Sequence, residues 1–306
     1  MKTLGGNGAI GFKLRARDAR VVALALIFFG ACVGACHRQP SARFTQVSDA
    51  RRLAADLRAQ FNKASDASDR AVLADTDEAS VAFAREADKL KEVVKNDDVD
   101  LEARLRDLGN APELEALATF ERTFAEYEKV DRDILLLAIE NSNLKAQRLS
   151  FGPARDEADA FRDALQAAVA TVTRDRCGLD AVLAKGVLAV REIQILQAPH
   201  IAEADDAVMT RLEKEMAVRE ERARDATKAL AGLVDAKGKA SMTAAVDALD
   251  KFAGISKEIV KLSRRNSNVR SLALSLRGKP ALTAGCDDSL RLLQEALAKE
   301  AFTATR

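Results

Sequence analysis

The side chains of this 306-residue chain that could do chemistry are few: four cysteines (32, 36, 177 and 286), two histidines (37 and 200), and scattered acids and serines. Cys177 and Cys286 could close a disulfide in an oxidising compartment, with free thiols or an intermolecular bridge as the alternatives. Neither histidine belongs to a Glu-x-x-His pair, so the helix-borne carboxylate metal site of a bundle is not expected. Asp97-Asp98-Val99-Asp100 and Asp205-Asp206 are acidic enough for calcium, but they lack its ligand spacing and central glycine and read as solvated helix ends. Serines are plentiful, yet without a histidine near an ordered site none is an activated nucleophile. The residues therefore assign no catalytic group, no metal ligand and no cofactor, and an enzyme is not expected.

The N-terminus carries the clearest signal. Lys2, Lys13, Arg15, Arg17 and Arg20 stand against one acid, Asp18, and an uncharged run from Val21 to Cys36 follows. A positive stretch followed by an apolar one is the layout of a secretory signal. The run ends in Val33-Gly34-Ala35-Cys36, which resembles the bacterial lipobox. That resemblance implies export, cleavage before Cys36 and lipid, palmitate included, on that cysteine. Phe29-Gly30-Ala31-Cys32 is a poorer second copy, with Cys32 as the fallback. Sixteen uncharged residues fall short of the roughly 20 that span a bilayer, which argues against an uncleaved anchor. His37, not Asp, follows the cysteine, which by resemblance to enterobacterial sorting favours the outer over the inner membrane. The expected location is the cell envelope, lipid-anchored and facing the periplasm.

Removing residues 1–35 leaves 43 basic against 46 acidic side chains. A mildly acidic chain with one Tyr and no Trp lacks the charge and the stacking platforms for nucleic acid. Ala, Leu, Glu, Asp, Lys and Arg dominate the rest, and most are strong helix formers. The expected fold is all-α, in tandem antiparallel four-helix bundles, with breaks at Asn96-Asp97-Asp98, Gly109 to Pro112, Gly152-Pro153, Pro199-His200, Lys237-Gly238 and Gly278 to Pro280.

Leu114, Leu117, Phe120, Phe124, Tyr127, Val130, Ile134, Leu137, Asn141 and Leu144 repeat at spacings of three and four, one apolar stripe on a charged helix. The stripe returns 125 residues later as Leu249, Phe252, Ile255, Ile259, Leu262, Asn266 and Val269, and Asn141-Ser142-Asn143 matches Asn266-Ser267-Asn268. This predicts an internal duplication. The units are a signal peptide at 1–35, a tether at 36–45, and bundle repeats at 46–176 and 177–306. The last helix of the first repeat could continue into the second, joining the bundles into a rod. Asn141 and Asn266 sit on the stripes, where a polar residue fixes register at some cost in stability. The sharper alternative is that they line ligand pockets, which stabilisation by Asn141→Leu with ligand binding intact would exclude.

The stretch from Phe124 to Val130, then Glu140 to Ala146, Gly152-Pro153 and Phe161 to Leu165, resembles the four-helix-bundle ligand-sensing domain of methyl-accepting chemotaxis receptors. The shared features are an aromatic pair three residues apart, a small polar segment before an Ala, and a last helix opening after Gly-Pro. The resemblance implies a binding or sensing role, with a small ligand or a membrane-receptor partner and a homodimer as a further option. It carries over no ligand-contacting residue. The receptors' second span and cytoplasmic signalling hairpin have no counterpart in the sequence. The other reading is a structural or protein-interaction lipoprotein of the envelope with no small ligand.

Overall fold

The computed structural model describes residues 42–173 and 176–304; the leader, Cys32, Cys36 and His37 lie outside them. The described residues are helical almost throughout and contain no strand. The helices are α1 (Ala42–Leu73), α2 (Asp77–Leu108), α3 (Ala111–Glu140), α4 (Ser142–Leu149), α5 (Arg155–Ala170), α6 (Arg176–Ala202), α7 (Asp206–Leu233), α8 (Lys239–Arg265), α9 (Ser267–Arg277) and α10 (Lys279–Ala304). Helix α1 begins at Ala42, so the last four residues of the expected tether are helical.

Local chemistry sets most of the boundaries. Thr76 caps α2, its side chain accepting from the Ala79 N–H, and Asp77 and Glu78 in the first turn favour the positive end of the helix dipole. Asp205 caps α7 in the same way through the Ala207 and Val208 N–H groups. Gly109, at φ 70°, closes α2 in the left-handed conformation that a side chain would disfavour, and Pro112 follows in the first turn of α3. Two expected breaks do not occur. Helix α2 runs through Asn96-Asp97-Asp98, and α6 runs through Pro199-His200 to Ala202. At Gly152-Pro153 the chain stays helical but widens into one π-turn, Ser150–Ala154, which absorbs the missing proline N–H.

The helices form two four-helix bundles, and the packing units differ from the sequence units. One core joins Val47, Leu57 and Phe61 of α1, Val94, Leu101 and Leu105 of α2 and Phe120, Phe124 and Tyr127 of α3 to Cys286, Leu290, Leu293 and Leu297 of α10. The other joins Phe161 and Leu165 of α5 to Leu179 and Ile193 of α6, Met216 and Leu230 of α7 and Leu249, Phe252 and Ile259 of α8. Bundle one is therefore α1, α2, α3 and α9–α10, and bundle two is α4–α5, α6, α7 and α8. Each repeat gives its fourth helix to the other bundle. No helix continues from the first repeat into the second: α5 ends at Ala170 and turns back, so that Gly186 of α6 faces Phe161 and Leu165 of α5. Connections of two to five residues within each bundle make the sequential helices antiparallel. Helix α3 likewise runs antiparallel to α9–α10, with Ile134, Thr123 and Asn110 opposite Ser271, Gly285 and Glu300.

No helix among the described residues is long and apolar enough to cross a membrane.

Candidate functional site

The two asparagines singled out by their spacing meet where the chain crosses between bundles. Among the described residues, Asn141 and Asn266 are the two non-glycine residues with positive φ, at 51° and 53°, each a left-handed joint between two helices. Asn tolerates that region better than other side chains because it can bond locally. Across the joint the segments cap each other at an offset of 125 residues. Ser142 N–H donates to Ser267 Oγ at 2.9 Å and Ser267 N–H to Ser142 Oγ at 3.0 Å. Asn143 N–H donates to Asn268 Oδ1 and Asn268 N–H to Asn143 Oδ1, both at 3.1 Å. Asn268 Nδ2 reaches Asn141 Oδ1 at 2.8 Å, and Asn143 Nδ2 reaches Asn266 Oδ1 at 2.9 Å. These bonds satisfy the free N–H groups at the starts of α4 and α9. The asparagines are thus buried helix joints, and Asn141→Leu would strain a left-handed joint instead of filling a core gap.

Beneath this joint, bundle one contains a charged interior to which all four of its helices contribute. Asp131 of α3 is 0% exposed. Its carboxylate accepts from Ser68 Oγ of α1 and, at 2.7 Å, from Lys91 Nζ of α2. Lys279, at the start of α10 with its side chain 3% exposed, donates to Asp69 Oδ1 at 2.7 Å and to the Ser65 carbonyl at 3.1 Å, and lies 3.6 Å from Asp131 Oδ1. Burial alone would lower the Lys91 pKa, but the charge and hydrogen bond of Asp131 outweigh it and hold the ammonium above its ordinary value.

Ser65, Asp69 and Lys279 of this network line a groove of about 750 Å³ between α1 and α9–α10. Arg58, Asp69 and Lys279 line its polar end, and Leu73, Leu272 and Leu276 its apolar end. Arg58 grips Asp287 with two hydrogen bonds, at 2.6 and 2.8 Å, which hold that carboxyl below its usual range. Leu73 and Leu276 are 72% and 67% exposed on the rim.

Bundle two has a different interior. His200 is buried, with Nδ1 2.8 Å from Ser263 Oγ and Nε2 2.9 Å from Glu213 Oε1. Arg264 donates to the same Glu213 oxygen at 2.6 Å, and this bond, followed by that from His200, holds the Glu213 carboxyl below its ordinary pKa. Ser263 is itself wholly buried and donates to the His200 carbonyl, so the constellation ties α6 to α8 and offers no accessible nucleophile. Gln197 links Ser150 of the π-turn to Ser256 of α8.

The remaining sequence candidates lie apart. Cys177 is exposed at the start of α6 in bundle two, whereas Cys286 is buried in the core of bundle one; both are free, so the intramolecular disulfide does not form. Burial pushes the Cys286 thiol up to about 12, which keeps it protonated and inert. Among the described residues no group of His, Cys, Asp or Glu could hold a metal ion.

Asp98 is not the solvated helix end its sequence suggests. Packed beside Glu121 and Glu102, its carboxyl is pushed up to about 7, by burial first and by those charges second. Such an acid makes the native state bind an extra proton, so stability falls as pH rises from about 4 to about 7 and levels off above. Three units are worth about 4 kcal/mol at most, and partial exposure brings the expected cost to about 2 kcal/mol. Asp98→Asn should therefore raise the urea midpoint at pH 8 and leave it nearly unchanged at pH 4; an equal effect at both would refute the assignment.

Comparison with protein-family models, with curated proteins and with solved structures found no match to this chain.

Proposed function

We propose that this chain is a lipid-anchored, extracytoplasmic helical-bundle binding protein, sensor-like in its bundles and dependent on a partner to pass on what it binds. The observation that carries the reading is the α1/α9–α10 groove. Its polar end is held by ion pairs already satisfied within the protein, so its shape is preset and little ordering is needed on binding. Exposed leucines at the other end leave apolar surface to cover. The anchor rests on the Val33 to Cys36 motif and the basic, then apolar, leader.

Two readouts test it. Labelled palmitate should enter the full chain and be lost in Cys36→Ala; undiminished labelling removes the anchor. In a thermal-shift screen against amino acids, organic acids and other small metabolites, a ligand held a hundredfold above its Kd should add about 2.7 kcal/mol and move the midpoint by a few degrees. The rim leucines also favour a second reading, an envelope interaction protein whose groove takes a partner helix. A flat screen on a cooperatively folding sample, with crosslinks from the groove to one envelope protein, would favour that reading.

A further inference from the structure

The internal duplication allows the same position to be compared in two bundles. Each bundle has a groove between its second and third helices. In bundle one, between α2 and α3, Lys91, Glu92, Lys95 and Glu128 fill it with ion pairs. In bundle two, between α7 and α8, Met216 stands at the position of Lys91 and Ser256 at that of Asp131. The result is a cavity of about 260 Å³ with Met216, Phe252 and Val260 among its walls. Phe252 and Met216 are buried, so the apolar floor is fixed. The fold tolerates charge at this position, so the apolar lining is not a requirement of the bundle.

Four polar side chains line the cavity, and their commitments differ. Glu213 is held by Arg264 and His200, and Glu220 by Arg224. Lys257 has no ion-pair partner among the described residues. Ser256 Oγ accepts from Gln197 Nε2 at 3.0 Å, which leaves its own O–H to donate. An unpaired ammonium and a free hydroxyl donor beside an apolar floor complement one chemistry: an anionic head on a short apolar tail.

From this geometry we infer that the α7/α8 cavity of bundle two is a binding site for a small amphiphilic monocarboxylate. Lys257 and Ser256 receive the carboxylate, and the surface around Phe252, Met216 and Val260 receives the tail. The site is in the other bundle from the α1/α9–α10 groove, so it stands or falls apart from that groove while sharing the reading of the chain as a binding protein.

Titration calorimetry of the full chain with octanoate tests it. One octanoate should bind per chain, more weakly as salt rises, and octan-1-ol, which lacks the charge, should bind at least about tenfold more weakly. Lys257→Gln should cost at least about tenfold and Lys257→Arg should restore most of it. Ala217→Phe, which fills the cavity from its exposed rim, should abolish binding with the helical circular dichroism intact. Leu276→Lys, in the groove of the other bundle, should leave octanoate binding unchanged whatever it does to the groove's own ligand. Absence of octanoate binding, or equal binding by the parent, Lys257→Gln and Ala217→Phe, overturns the site. Loss of binding on Leu276→Lys alone moves the ligand to the groove, which overturns the cavity assignment and leaves the binding-protein reading standing.

Discussion

Asp131→Ala is expected to lower the stability of the chain by about 3–5 kcal/mol, because it removes the one wholly buried carboxylate from between two buried ammonium groups at the centre of bundle one. Asp131 is wholly buried, and Lys91 has its nitrogen 2.7 Å from Oδ2. Lys91 retains Asp88 at 2.9 Å and Lys279 retains Asp69, but these carboxylates are 68% and 50% exposed and do not replace a buried charge. Bundle two shows what the same position does without ions, since Met216, Ser256 and Ala154 stand where Lys91, Asp131 and Lys279 stand in bundle one. The triple variant Lys91→Met, Asp131→Ser, Lys279→Ala should therefore lose less than Asp131→Ala alone, although it removes more atoms. Urea midpoints at constant m-value make the comparison. A triple variant less stable than the single would mean that the ions contribute net stability, and the desolvation argument would fail.

The helical class was legible because it depends on local properties: strong helix formers, a three-four apolar spacing, and Gly or Pro near the ends. Thr76, Gly109 and Asp205 end or begin helices through side-chain and backbone rules that act over four residues. Asn141 and Asn266 were legible as special but not as joints. Their stripe spacing fits a continuous helix, and only their left-handed conformation, which Asn tolerates, breaks it. The exchange of fourth helices was not legible at all. Either arrangement buries the same stripes against the same kinds of neighbour, and the two differ only in the direction the chain takes after residues 141 and 266. Asp131 did carry a signal, since it lies four residues after Tyr127 and three before Ile134, on the buried face. Its partners could not be read, because Lys91 and Lys279 come from distant parts of the sequence. Gln197 and His200 were hidden by Pro199, which suggested a break where α6 continues.

The exchange makes the two halves of the chain hard to separate even without a covalent link. Residues 42–173 supply three helices to bundle one and α4–α5 to bundle two; residues 176–304 supply three to bundle two and α9–α10 to bundle one. A protease site placed between Thr173 and Arg176 should therefore yield two fragments that co-elute at the size of the intact chain under native conditions and part only in denaturant. Separation without denaturant would show that each repeat closes on itself. The capping joint should set how tightly the halves hold. Asn143 donates to the Ile201 carbonyl at 2.6 Å and to Asn266, and accepts from the Asn268 N–H, so Asn143→Ala strands three polar groups on two segments. At about 1 kcal/mol for each lost bond, and more for a partner left buried and unpaired, the expected loss is about 3 kcal/mol. Asn141→Gly keeps the left-handed joint and should cost less than Asn141→Leu, which adds about 1–2 kcal/mol of backbone strain to the loss of the Asn268 contact. In the cleaved protein the same substitutions should lower the denaturant concentration at which the fragments part, in the same order. If the order reversed, stability at the crossing would come from stripe packing, and the capping bonds would be incidental.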